Sequence, residues 1–132
     1  MSFSITVHLP YGQEPYPTDP QEQDAWYEEY LAHLILDRPF GTDSMINVYW
    51  HLPSLSLGLR LVPLIYNDGL KLKEPQDLLL LQEEIKLIAN YWQDNLFDSM
   101  ALEVKEDLLI RMDFLHQAVK LALNENGILN VS

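Results

Sequence analysis

Cysteine is absent from this chain. Disulfides, thiolate metal sites and cysteine nucleophiles are therefore excluded, and such a composition suits a reducing cytoplasm. Basic residues are scarce: 8 Lys and Arg stand against 20 Asp and Glu, for a net charge of −12. A chain of this balance repels nucleic-acid phosphate and anionic membrane surfaces. The 5 glycines are scattered, so no loop cradles a phosphate. No apolar run reaches the roughly 18 residues of a membrane span. Leu78 to Leu81 is intense, but charges follow at once. The opening MSFSITVHLP has neither a basic region nor a long apolar run, so no secretion leader is expected in it.

What is present is a well-patterned chain of 132 residues, 48% hydrophobic. That length buries a core without staples, so one domain over residues 1–132 is expected. Its most periodic stretch is Gln76 to Asn95. Leu78, Leu81, Ile85, Ile88 and Trp92 recur at spacings of three and four, which puts them on one side of a helix. Pro75 opens that helix, and Gln82, Glu83, Glu84 and Lys86 are expected on its surface.

Phe3, Ile5, Val7 and Leu9 alternate with polar residues and predict a strand over Ser2 to Leu9. Prolines break the next stretch. Asp19 as cap, Pro20 at the first position and Glu22 three residues after the cap predict a helix that starts near Thr18 or Asp19 and runs to about Leu36, with Arg38, Pro39 and Gly41 ending it. Ile46, Val48, Trp50 and Leu52 alternate over Ser44 to Leu52, and Leu55, Leu57, Leu59 and Leu61 alternate on toward Tyr66. Both read as strands, the second the clearer. Asn67, Asp68 and Gly69 read as a turn, and Leu70 to Lys73 as a short returning strand. A last helix is expected over Ala101 to Asn124, stopped by Asn126 and Gly127, with a tail that returns to the sheet or frays. The fold class that follows is α+β: a two-layer sandwich, with an antiparallel meander of about four strands packed against three helices.

Motifs for chemistry are missing. The histidines, His8, His33, His51 and His116, have no metal-binding spacing; Glu29 with His33 is merely compatible with one helix face. Glu28–Glu29 and Glu83–Glu84 are adjacent, so each pair diverges by about 100° on a helix. There is no serine elbow. No catalytic residue, metal or cofactor is assigned.

The aromatics carry more information. Tyr11 and Tyr16 sit on the proline-rich loop before the acidic first helix, which holds Asp19, Glu22, Asp24, Trp26 and Glu28. Aromatic anchors ringed by carboxylates suit a protein-binding surface. The functional reading is a small, cytoplasmic, non-catalytic interaction protein that masks or regulates a basic partner, for instance as an inhibitor or an immunity-like protein. The surplus leucines Leu79 and Leu80 point to contact with the last helix or to a homodimer. The alternative is a small-molecule site between sheet and helices, with Tyr49, His51 and Arg60 as its polar groups.

Overall fold

The structure is a computed structural model that describes residues 2–10 and 17–132. Four strands are present among these: β1 (Ser2–His8), β2 (Leu34–Thr42), β3 (Leu70–Leu72) and β4 (Ile128–Val131). They form one antiparallel sheet in the order β2-β1-β4-β3. Five helices accompany them: α1 (Pro20–His33), α2 (residues 43–56), α3 (Val62–Asp68), α4 (Pro75–Asn95) and α5 (Leu102–Glu125). None is long and apolar enough to cross a membrane.

The strand alternation at the N-terminus builds the centre of the sheet. Ile5 and Val7 of β1 face Val131 and Leu129 of β4, which in turn face Leu70 and Leu72 of β3. Residues directly opposite one another share a sheet face. These six therefore form one apolar patch, and all are buried. Helix α5 lies against β1, β2 and β4, and α4 packs on α5. The expected stripe on α4 is fully buried, from Leu78 to Trp92. Asn126, with φ of 53°, ends α5 in the left-handed conformation that asparagine tolerates.

Several sequence expectations are corrected. The first helix stops at His33, not Leu36, and β2 runs straight through Arg38, Pro39 and Gly41. Pro39 is accommodated because β2 is an edge strand with a register shift at that point. The shift leaves Phe40 outside the pairing, and its ring is buried 4.7 Å from that of Trp50. The larger correction covers residues 44–66. Neither expected strand exists; helices α2 and α3 take their place. The sheet is accordingly no meander. Its first and last strands pair in the centre, and the helix count exceeds three.

The reason lies in a period that fits both structures. Ile46 and Trp50 are four apart and buried, whereas Val48 and Leu52 between and after them are exposed. That is a helical pattern. From His51 to Leu61 the chain contains no β-branched residue, and leucine is a strong helix former. The middle of α2, Ile46–His51, is π-helical. Pro53 explains the widening, since a proline ring clashes with the carbonyl four residues before it and offers that carbonyl no N–H. The carbonyl concerned is that of Tyr49. It accepts instead from Trp92 Nε1–H of α4, at 2.6 Å.

Glu84 is the second surprise. Expected on the surface of α4, it is 3% exposed. Its Oε1 accepts from the amides of Leu61 and Val62, at 3.0 and 2.9 Å. Its Oε2 accepts from Arg60 and Leu61, both at 3.1 Å. The carboxylate thus caps the N-terminus of α3 from another helix, where free amides and the positive end of the dipole favour a negative charge. No residue of α3 supplies a side-chain cap of its own.

Candidate partner-binding surface

Helix α1 differs from the other long helices. It has 14 residues and none is buried. Asp19 Oδ1 accepts from the Gln21 amide at 3.0 Å, Pro20 takes the first position, and Gln23 Nε2 donates to the Pro17 carbonyl at 2.8 Å. The helix is thus well started by its own sequence. An aromatic stack ties it to the sheet. The Trp26 ring lies parallel to Tyr30 with centroids 5.5 Å apart, and Tyr30 meets His8 of β1 at 5.6 Å.

One face of α1 forms an open groove of about 300 Å³, lined by Pro17, Glu22, Ala25, Trp26 and Glu29. Glu22, Trp26 and Glu29 are spaced four and three apart, so they stand in line along the helix. Two carboxylates flanking an indole suit a guanidinium or ammonium group, through charge and through the face of the ring. Along the chain the charge here is one-sided: no Lys or Arg precedes Arg38.

The expected binding residues divide on this geometry. Glu22 and Trp26 line the groove, and Asp19 lies on the same side as the cap. Asp24 and Glu28 fall on the far side of the helix, with the exposed Tyr27 and Leu31. Tyr11 and Tyr16 lie outside the described residues. Glu29 was not singled out for this surface, although its spacing from Trp26 was a readable signal.

Tyr49 borders a groove of about 340 Å³ with Met45, Glu103, Val104 and Asp107. His51 packs edge-on against Tyr66 at 4.9 Å, with Nδ1 buried and without a hydrogen-bond partner. Arg60 is exposed, and its backbone amide serves Glu84. Among the described residues no group of three or more His, Asp or Glu is placed to hold a metal ion.

A third groove, between α4 and α5, is lined by Gln82, Lys86, Asp113, His116 and Lys120. Burial pushes the His116 pKa below its ordinary 6.5, Lys120 and Lys86 push the same way, and Asp113 opposes them. Comparison with known proteins finds no matching family, curated protein or solved structure.

Proposed function

We propose that the chain is a small, acidic, non-catalytic protein of the cytoplasm that binds and regulates a basic protein partner, in the manner of an inhibitor or immunity-like protein. The observation that carries this reading is α1. A helix of 14 residues with no buried side chain presents Trp26 between Glu22 and Glu29 in an open groove. A tryptophan flanked by carboxylates is the kind of anchor on which a protein partner packs. Lysine or arginine side chains of the partner enter the groove, and the charge of −12 steers the encounter.

The test separates the groove from the general charge. Glu22→Lys with Glu29→Lys changes the net charge as much as Asp24→Lys with Glu28→Lys. Both pairs slow association at low salt. Only the groove pair also speeds dissociation of a basic partner, because it removes contacts made in the complex. Equal effects of the two pairs on both rates would reject the groove.

A further inference from the structure

Basic groups are scarce in this chain, and several are engaged by their own neighbours. Arg111 Nε donates to Asp107 at 3.0 Å. The Arg38 guanidinium lies 5.9 Å from the centroid of the Phe114 ring, and the Lys105 ammonium 5.3 Å from that of Phe97. The groove between α4 and α5 is different. Lys86 of one helix and Lys120 of the other line it, together with Gln82, Asp113 and His116. Helical spacing builds its walls. Gln82 and Lys86 are four apart on α4, and Asp113, His116 and Lys120 follow at three and four on α5. Its volume is about 400 Å³.

The donors of this groove are largely uncommitted. Within the described residues, no hydrogen bond or ion pair engages the Lys120 ammonium or the His116 ring. Lys86 meets Glu83 at 3.2 Å, but both side chains are more than half exposed, and so wet an ion pair is weakly held. Asp113, the carboxylate of the lining, has its Oδ2 accepting from Gln117 Nε2 at 2.8 Å. Two ammoniums thus stand against one carboxylate that already has a donor. Burial, then Lys120 and Lys86, hold the His116 pKa below 6.5 against the pull of Asp113. At neutral pH the ring is uncharged and keeps one N–H to donate.

We infer that the groove between α4 and α5 binds a phosphoryl dianion, as free phosphate or as the head of a small phosphomonoester. Lys86 and Lys120 supply two positive charges from opposite walls, and His116 and Gln82 supply neutral N–H donors. A dianion satisfies both ammoniums at once, whereas a monocarboxylate leaves one idle. A nucleic acid is the wrong anion, since its further phosphates meet a chain of net charge −12. None of these residues lines the α1 groove, so the site stands independently of the partner surface.

Binding and the protonation of His116 are linked. The lysines disfavour the charged ring, a bound dianion offsets them, and the His116 pKa rises on binding. The groups acting on the ring are Lys86 from α4, and Asp113 and Lys120 from its own helix. Their ordinary pKa values lie well away from that of a histidine, so the ring titrates against fixed charges. Added salt also raises this pKa, by screening the lysines, so chloride of equal ionic strength is the reference.

The experiment is an NMR titration of the full chain. Histidine ring signals are followed against pH in sodium phosphate, in glycerol phosphate, and in sodium chloride of equal ionic strength. The expected result is a His116 pKa higher in both phosphates than in chloride, while His33 and His51 behave alike in all three salts. Tighter binding of glycerol phosphate assigns the groove to a phosphomonoester; equal or weaker binding assigns it to free phosphate. Lys86→Gln and Lys120→Gln each weaken phosphate binding about tenfold or more. Lys105→Gln removes the same charge about 16 Å along α5 from His116 and leaves binding unchanged. All three lysines lie outside the buried core, so the variants fold. The same His116 pKa in chloride as in phosphate, or a loss of binding in Lys105→Gln as large as in Lys120→Gln, overturns the inference.

Discussion

Replacing Glu84 tests the packing logic of the whole helical layer. Its carboxylate serves the amides of Arg60, Leu61 and Val62, where the chain enters α3. A hydrogen bond to a charged acceptor contributes about 1.5–3 kcal/mol, and a buried donor left unmade costs about 1–3 kcal/mol. Arg60 is exposed, so water takes over at its amide after Glu84→Ala. Leu61 and Val62 are buried, and their amides are stranded. Two stranded donors and a vacated buried site set the loss at about 3–5 kcal/mol. Glu84→Gln keeps one oxygen for Leu61 and Val62 but turns an amide group toward the Arg60 N–H. Its expected loss is about 1–2 kcal/mol. The assay is urea unfolding followed by fluorescence of the buried Trp50 and Trp92, with m-values compared among the three proteins. Hydrogen exchange adds a local readout, since the amides of residues 60–62 lose protection first. If Glu84→Ala unfolds within about 0.5 kcal/mol of the native protein, the cap is not what holds α3 in place.

Trp92→Phe leaves the Tyr49 carbonyl without its 2.6 Å donor and costs about 1–3 kcal/mol. In a Pro53→Ala background the helix supplies its own N–H to that carbonyl, so the cost of Trp92→Phe falls by about 1 kcal/mol; strict additivity in the double-mutant cycle contradicts the account of the π turn. Burial, aided by Lys120 and Lys86 and opposed by Asp113, holds the His116 pKa below 6.5 in the folded chain. The unfolded chain therefore binds a proton first, so stability is full above 6.5 and declines as pH falls toward the folded pKa. His116→Gln removes that decline between pH 6.5 and the folded pKa, and an identical pH slope in the variant refutes it.

The legible elements were those whose pattern admits one period. Helix α4 carries Leu78, Leu81, Ile85, Ile88 and Trp92 at helical spacing over 21 residues, and all five are buried. The strand Ser2–His8 alternates cleanly, and the tail that was to return or fray does return as β4. Residues 44–66 failed because Ile46, Val48, Trp50 and Leu52 satisfy a period of two and contain a period of four. Burial decides between them, and burial is set by Phe40 and Trp92, whose rings meet Trp50 from elsewhere in the chain. Glu84 looked like one more helix-surface carboxylate because its partners lie 22 to 24 residues away. The α1 surface was legible in its charge and its tryptophan. Its groove was not, since separating Glu22 and Glu29 from Asp24 and Glu28 needs the helix to be placed on the body.

The central claim is that the groove on α1 recognises a basic protein. The most direct measurement is affinity capture from native lysate with the wild type and the Glu22→Lys/Glu29→Lys variant side by side, at low and moderate salt. The account predicts a stoichiometric basic protein on the wild type that salt releases and the variant fails to retain. The same proteins on both baits, or no partner on either, would contradict it.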